Sequence, residues 1–158
     1  MNLSNKIALT GVSCTSSSFC IAVDESGGAF EFNGTNWTAG TSWTNPIDST
    51  HIINGISCYS TTFCIAVDSG GNSLNYTGGS TWTSTAINPP STPDLTAVSC
   101  ISTTFCAVVD SSANAYVGHP GSWTTSAVGG AGFISVGCAT STLCVDESWC
   151  TPRCQHSY

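Results

Sequence analysis

The chain has 158 residues, of which 41% are hydrophobic and only 7% are charged. Nine acidic side chains against two basic ones give a formal net charge of −7 at pH 7. Two cations cannot neutralise a row of phosphates, so the composition excludes nucleic acid as a partner and disfavours an anionic membrane surface.

The dominant feature of the sequence is an internal repeat of cysteine pairs. In every pair the second cysteine follows six residues after the first, and the first cysteines are spaced by 44, 42 and 38 residues. The pairs are Cys14 and Cys20, Cys58 and Cys64, Cys100 and Cys106, and Cys138 and Cys144. Repetition at such a period indicates stacked copies of one supersecondary unit. In the fourth copy, Phe133 is the candidate for the apolar position that opens the unit.

Each unit is predicted to contain four short strands separated by turns. The first strand ends at the first cysteine, and a small polar turn leads to a second strand, which is Phe19–Asp24 in the first unit. A Gly-Gly turn and a third strand, Ala29–Phe32, follow. The fourth strand opens at a tryptophan in three units: Trp37, Trp82 and Trp123.

Short, evenly spaced strands with a recurrent aromatic residue are typical of four-stranded antiparallel β-propeller blades, so we predict an all-β fold. The chain is then a single repeat domain, residues 1–158. Its parts are blade 1 at about 9–46, blade 2 at about 52–88, blade 3 at about 95–128, a half blade at about 133–145 and a divergent tail at 146–158.

The repeated sequence pattern ends in the fourth unit, after the second predicted strand of that unit. An incomplete ring leaves strand edges and apolar blade faces exposed. Two copies of three and a half blades make seven, so we predict a homodimer that closes a seven-bladed ring. The alternatives are an open monomer and a domain-swapped chain.

The eight repeat cysteines have a structural interpretation. Two cysteines on neighbouring antiparallel strands can lie at disulfide distance, and each such bridge contributes about 2 kcal/mol. Zinc binding is the alternative, but zinc ribbons favour a shorter cysteine spacing. Ten cysteines in all indicate an oxidising compartment and a secreted or extracellular parent protein. The first eight residues lack the pattern of a secretory signal.

One sequence motif of the repeat reads Ser-Cys-x5-Cys-Ile-Ala-Val-Asp and is followed by a glycine turn, an aromatic strand and Gly-x-x-Trp. It resembles secreted bacterial propeller repeats. These are related to Asp-box and photosystem-assembly-factor-like propellers, and the resemblance covers about residues 9–145. The stretch nearest to an Asp box keeps Gly79, Thr81 and Trp82 but lacks the aspartate. The resemblance implies the architecture. It does not imply sialidase activity, which needs an arginine cluster, because Arg153 is the sole arginine.

The tail carries a pattern of metal-binding residue types, Cys150-x3-Cys154-x-His156. Two thiolates and an imidazole would leave the fourth position of a zinc ion to water, which is the hydrolytic arrangement. Asp146 or Glu147 would then act as the general base. The alternatives are a fifth disulfide between Cys150 and Cys154, or two free thiols.

Two further histidines are candidate metal ligands. His51 lies in the connector between the first two units and His119 in a His-Pro-Gly turn, and copies from two subunits would converge in an assembled ring. The alternative is that both are exposed loop residues. An aspartate also ends the second strand of three units: Asp24, Asp68 and Asp110. Its repetition favours hydrogen bonding to the turn backbone, and a calcium-binding ring of carboxylates is the alternative.

No nucleophile elbow, HExxH motif or phosphate loop occurs in the sequence. We therefore predict a disulfide-stapled propeller that acts as a binding or scaffold module. One alternative is a zinc-dependent hydrolase of esters or phosphoesters, with its site at the subunit junction or in the tail. A carbohydrate-binding propeller is another, and zinc is the one cofactor that the sequence suggests.

Overall fold

The computed structural model describes residues 7–39, 47–79, 81–87, 94–127, 132–148 and 155–157. These residues form β-strands, turns and connectors. These ranges contain no helix, and therefore no helix that is long and apolar enough to span a membrane.

Fifteen strands form four antiparallel sheets. Sheet 1 consists of β1 (Leu9–Ser16), β2 (Phe19–Asp24), β3 (Ala29–Phe32) and β4 (Trp37–Ala39). Sheet 2 consists of β5 (Ile53–Ser60), β6 (Phe63–Asp68), β7 (Asn72–Tyr76) and β8 (Trp82–Ala86). Sheet 3 consists of β9 (Leu95–Ser102), β10 (Phe105–Asp110), β11 (Asn114–His119) and β12 (Ser122–Ala127). Sheet 4 consists of β13 (Phe133–Thr140), β14 (Leu143–Ser148) and β15 (Gln155–Ser157).

Within each sheet the strands lie side by side in chain order. The all-β fold and the four-stranded unit are therefore confirmed. The first strand differs from the prediction, because it continues for two residues beyond its cysteine. Ser16 pairs with Phe19 after an irregularity in the register, and its hydroxyl accepts a hydrogen bond from the backbone N–H of Ser18 at 3.2 Å. Part of the predicted polar turn thus belongs to the strands.

The core lies between successive sheets rather than within one of them. Side chains of β2, such as Ile21 and Val23, pack against Ile53 and Ile56 of the next sheet. Corresponding clusters fill the space between sheets 2 and 3 and between sheets 3 and 4. The second strands of sheets 1 and 2, β2 and β6, are buried on both faces, and each fully buried aliphatic side chain there contributes about 1.5–3 kcal/mol.

Four disulfides connect the first and second strands of each sheet, as the cysteine spacing predicts. They join Cys14 to Cys20, Cys58 to Cys64, Cys100 to Cys106, and Cys138 to Cys144. The two cysteines of a pair stand directly opposite each other, with 4.0 Å between their Cα atoms. Sulfurs bonded in this way are not thiolates, so the zinc interpretation of these eight residues is wrong.

Sheet 4 corrects the prediction of a half blade that ends after two strands. The chain returns as β15, whose Ser157 pairs with Val145 of β14. This pairing supplies hydrogen-bond partners for an edge that would otherwise stay open. With four sheets in each chain, two copies supply eight sheets rather than seven. The leading position of the unit is held by Phe133, which is buried and pairs with Ser148 as Leu95 pairs with Asp110.

The outer faces of the first and last sheets carry exposed apolar side chains. On the first face, Leu9 is 48% and Val12 is 61% exposed, whereas their counterparts in the other three sheets are buried against the preceding sheet. On the last face, Leu143 and Val145 are 45% and 39% exposed. Glu147 occupies the place of a buried valine there. We call these two surfaces the first face and the last face.

Candidate binding face

The connectors before the first strands and the turns after the second strands lie at one end of the sheets. We call this end the connector face; it comprises residues 25–28, 47–52, 69–71, 94 and 111–113. Backbone hydrogen bonds link these segments, such as Ile47 N to Gly27 O at 2.8 Å and Ser111 N to Asp94 O at 2.9 Å. The first bond fixes the turn of sheet 1 to the connector that follows this sheet. The second fixes the turn of sheet 3 to the connector that precedes it.

The aspartate that ends each second strand organises its turn. Oδ1 of Asp68 accepts hydrogen bonds from the backbone N–H groups of Gly70 and Asn72, both at 2.8 Å. Asp24 and Asp110 bind their own turns in the same way. The predicted structural role of the three aspartates is confirmed. All three are buried, so these hydrogen bonds also offset the cost of removing a carboxylate from water.

The second oxygen of this aspartate has a different environment from sheet to sheet. In sheet 3, the hydroxyl of Tyr116 donates a hydrogen bond to Oδ2 of Asp110 at 2.7 Å. Leu74 occupies the position of that tyrosine in sheet 2, and it has no donor. In both sheets an asparagine side chain also donates to Oδ2, Asn72 to Asp68 at 2.9 Å and Asn114 to Asp110 at 2.8 Å. Where Asp110 has the tyrosine hydroxyl, Oδ2 of Asp68 faces the connector.

The connector places a second carboxylate and an imidazole against Asp68. Nδ1 of His51 lies 3.2 Å from Oδ2 of Asp48 and 3.8 Å from Oδ2 of Asp68. Oδ1 of Asp48 is held by the backbone N–H and the hydroxyl of Thr50, each at 2.7 Å. One ligand atom from each of Asp48, His51 and Asp68 lies within 4.8 Å of the others. We call these three residues the carboxylate–imidazole cluster.

The two carboxylates of this cluster differ in acidity. Burial opposes ionisation of Asp48, but hydrogen bonds from Thr50, Asp68 and His51 outweigh it and lower the pKa of Asp48 from 3.8 to about 2. Burial raises the pKa of Asp68, and its hydrogen bond with Asp48 raises it further. The two carboxyl groups therefore differ in acidity, and Asp68 takes up a proton at a higher pH than Asp48 does.

The hydroxyl, imidazole and carboxylate of Thr50, His51 and Asp48 do not form a catalytic triad. A triad uses both ring nitrogens, one toward the nucleophile and the other toward the carboxylate. Here Oγ1 of Thr50 and Oδ2 of Asp48 both approach Nδ1, at 2.8 and 3.2 Å. The threonine hydroxyl also donates to Asp48. The arrangement can bind a cation, but it does not activate a nucleophile.

Two open clefts lie on the connector face. The larger, of about 310 Å³, is lined by Asn54, Asp94, Thr96, Ser111 and Ile134. The smaller, of about 160 Å³, is lined by Glu25, Ser26, Ser49, Thr50, His51 and Ile52. Both combine hydroxyl, carboxyl or amide groups with one exposed isoleucine.

The structure places the predicted histidines apart. Nδ1 of His119 lies 3.1 Å from the carbonyl oxygen of Pro120, in the turn between β11 and β12. His51, by contrast, precedes β5 on the connector face. Sequence reasoning missed Asp48 as its neighbour, although an aspartate three residues before a histidine in a connector was a usable signal.

The remaining candidate residues belong to the tail. Cys150 and Cys154 lie outside the described residues, as do the side chains of Asp146 and His156; Glu147 is exposed on β14. The zinc site in the tail and its general base stay predictions, and so do the zinc-hydrolase and carbohydrate-binding interpretations.

Antiparallel four-stranded sheets that stack face to face, with their first strands side by side, define a β-propeller architecture. Comparison with solved structures identifies propellers of the photosystem assembly factor YCF48. A structure described as YCF48 bound to D1 peptide has a TM-score of 0.73 and 15% identity, and the match covers 94% of this chain and 51% of that one. YCF48 from Cyanidioschyzon merolae has a TM-score of 0.65 and 13% identity, with 96% and 56% covered.

The chain thus spans about half the length of the solved structures it matches. At this level of identity the similarity establishes the fold. No protein-family model matches the sequence, and no curated protein matches it.

Proposed function

We propose that the chain is a protein-binding module whose connector face holds an extended peptide segment of a partner protein. The observation that carries this proposal is the pair of shallow clefts on that face, which are lined by polar groups beside exposed Ile52 and Ile134. Sites for drug-sized ligands are commonly about 300–1,000 Å³ and enclosed. The two clefts, of about 160 and 310 Å³, lie below that range or at its lower end, and both are open to solvent. They suit single side chains of a peptide better than an enclosed small molecule.

Two further observations support this function. The similar YCF48 propeller is described with a peptide bound. The net charge of −7 and the acidic groups Glu25 and Asp94 beside the clefts favour a neutral or basic segment.

The experiment selects phage-displayed random peptides against the immobilised protein and measures the affinity of enriched peptides by fluorescence polarisation. Ile134→Arg fills the larger cleft and should weaken binding roughly tenfold or more, a loss of about 1.4 kcal/mol. Thr103→Arg adds the same charge and bulk at the opposite end of sheet 3, where Thr103 is exposed. It should leave affinity within about twofold. Equal weakening by both variants, or no enriched peptide, contradicts the proposal.

We further propose that copies of the chain associate by packing the first face of one copy on the last face of another. Internal junctions bury the counterparts of Leu9 and Val12 against a neighbouring sheet, and a second copy would do the same for the first face. With four sheets each, two copies would close a ring of eight sheets.

Light scattering tests this association through charge substitutions. Val12→Lys on the first face and Leu143→Lys on the last face should each give a monomer at micromolar concentration. An equimolar mixture of the two variants should partly recover the dimer, because one of its two junctions stays intact. Tyr59→Lys is the control, since Tyr59 is exposed and belongs to neither face. A monomeric wild-type protein, or a dimer insensitive to Leu143→Lys, contradicts closure of the ring.

We also propose that the parent protein acts outside the cytoplasm, since four disulfides persist in an oxidising compartment. Kinship with secreted bacterial Asp-box propellers rests on the repeat text alone. Expression in the bacterial periplasm should give more soluble protein than expression in a reducing cytoplasm, and the reverse result would argue for an intracellular parent.

A further inference from the structure

We propose that Asp48, His51 and Asp68 form a binding site for a first-row divalent metal ion, represented here by Zn²⁺, which ties the connector to sheet 2. The proposal is independent of peptide binding, because it concerns groups that lie between the connector and the sheet. It would hold even if no peptide bound the connector face.

The spacing of the three ligand atoms suits a small tetrahedral ion. Zinc bonds of about 2.1 Å place neighbouring ligand atoms about 3.4 Å apart. Nδ1 of His51 lies 3.2 Å from Oδ2 of Asp48 and 3.8 Å from Oδ2 of Asp68, each within a few tenths of an ångström of that spacing. All three ligand atoms lie within 4.8 Å of one another.

The ligands are held in place by hydrogen bonds outside the cluster. Oδ1 of Asp68 is bound by the turn residues Gly70 and Asn72, and Oδ1 of Asp48 by Thr50. In each carboxylate Oδ2 faces the imidazole, and Oδ2 of Asp68 also accepts a hydrogen bond from the side chain of Asn72 at 2.9 Å. Ligands oriented in this way by surrounding groups bind metal more tightly than free side chains do.

Gly70 leaves the space that the imidazole of His51 occupies. A Cβ atom on Gly70 would lie 2.6 Å from Nε2 and Cδ2 of the ring. Any residue with a side chain at this position would therefore displace the ring from the two carboxylates. The glycine is thus a positioning residue for the third ligand.

The local charge balance also calls for a cation. Asp68 is fully buried and lies beside a second carboxylate, and two neighbouring carboxylates repel each other when both are ionised unless a cation lies between them. The two basic residues of the chain, Lys6 and Arg153, both lie outside the described residues. Within the described ranges, His51 is the one positively ionisable group recorded beside this pair.

The fourth coordination position would be open to water. The His51 side chain is 40% exposed and lines the smaller cleft, together with Glu25 and Thr50. The cleft provides an entry path and room for a solvent ligand. An imidazole with two carboxylates favours Zn²⁺ over Ca²⁺, which prefers an all-oxygen shell.

The test is native mass spectrometry and isothermal titration calorimetry of the full chain after chelator treatment, with Zn²⁺ and Ca²⁺ as probes. To remove competing ligands from the tail, all proteins carry Cys150→Ser and Cys154→Ser. We expect one Zn²⁺ per chain and a higher melting temperature with the ion than without it. His51→Asn and Asp48→Asn should each weaken binding roughly tenfold or more, and Gly70→Ala should also weaken it, although it removes no ligand.

The matched control is His119→Asn, which removes a histidine from the opposite side of the repeat and should leave zinc affinity unchanged. Three results would overturn the proposal: no zinc bound to the chelator-treated chain, equal affinity in His51→Asn and the parent, or preference for Ca²⁺ over Zn²⁺. Circular dichroism of each variant verifies that the sheets are intact, so loss of fold is distinguished from loss of the site.

Discussion

The hydroxyl oxygen of Ser57 accepts a hydrogen bond from the backbone N–H of Cys100 in the next sheet, at 2.9 Å. The same bond joins Ser13 to Cys58 at 2.8 Å and Ser99 to Cys138 at 3.1 Å. First strands of neighbouring sheets share no backbone ladder, so this side chain satisfies an N–H that would otherwise be half-buried without a partner. The recurrent Ser-Cys dipeptide thus connects each sheet both to its own second strand and to its neighbour. In the last repeat Gly137 replaces the serine, and this link ends there.

Removal of the Ser57 hydroxyl should destabilise the junction between sheets 2 and 3. We expect Ser57→Ala to lower the free energy of unfolding by about 1 kcal/mol, because the N–H of Cys100 loses its acceptor. Urea denaturation monitored by tryptophan fluorescence measures the change. Ser84→Ala, at an exposed position of β8, is the control and should change stability by less than about 0.5 kcal/mol. An equal effect of the two variants would contradict a role for the inter-sheet bond.

Loss of one disulfide should destabilise the protein without changing its architecture. Replacing both Cys58 and Cys64 by alanine opens a short loop and should lower the free energy of unfolding by about 2 kcal/mol. Urea denaturation of the double variant, with and without reductant, measures it. The reductant should then have a smaller effect on the variant than on the wild-type protein, because one bridge fewer remains. No loss of stability in the double variant would show that this bridge is dispensable.

The buried Asp110 should depend on the hydroxyl of Tyr116. Tyr116→Phe keeps the ring but removes one of the two donors to Oδ2, which also accepts from Asn114 at 2.8 Å, and we expect a loss of about 1 kcal/mol in the free energy of unfolding. Thermal and urea denaturation provide the measurement. Tyr59→Phe makes the same change at an exposed site and should stay within about 0.5 kcal/mol of the wild type. A neutral Tyr116→Phe would mean that another group satisfies the carboxylate.

The contribution of Asp48 to stability should depend on pH in the metal-free protein. Its pKa is lowered in the folded state from 3.8 to about 2, so its stabilising effect is present above pH 3.8 and is lost as the pH falls toward 2. Asp68, whose pKa is raised, acts in the opposite direction: its contribution is present at low pH and is lost as the pH rises. Asp48→Asn keeps an oxygen for Thr50 but removes the charge.

We expect the difference in unfolding free energy between the wild type and Asp48→Asn to be on the order of 1 kcal/mol near neutral pH. It should shrink steadily between about pH 4 and pH 2. Urea denaturation of both proteins across this range, with chelator present, measures the difference. If the difference in unfolding free energy increased as the pH falls, the pKa of Asp48 would not be lowered in the folded state.

Local features of this protein follow from the sequence alone. A spacing of six residues places Cys14 opposite Cys20 in one hairpin, and the nearly continuous apolar run in Phe19–Asp24 produces a strand buried on both faces. The sequence also predicts the role of the repeated aspartates in the turns, because each accepts hydrogen bonds from residues within four positions of itself. These aspartates are Asp24, Asp68 and Asp110. Interactions between residues so close in the sequence recur in each copy of the repeat, because the interacting residues recur together.

Relations between repeats were decided by the tertiary structure. Asp48 meets Asp68 because a connector folds back over the next sheet. The second oxygen of the buried Asp68 faces that connector because Leu74 stands where sheet 3 has Tyr116. The third strand of sheet 4 comes from a tail whose sequence does not match the repeat. Such a segment can still pair, because backbone hydrogen bonding needs an open strand edge rather than a particular side chain. Contacts of this kind depend on how sheets stack in space, and no periodicity along the chain encodes that distance.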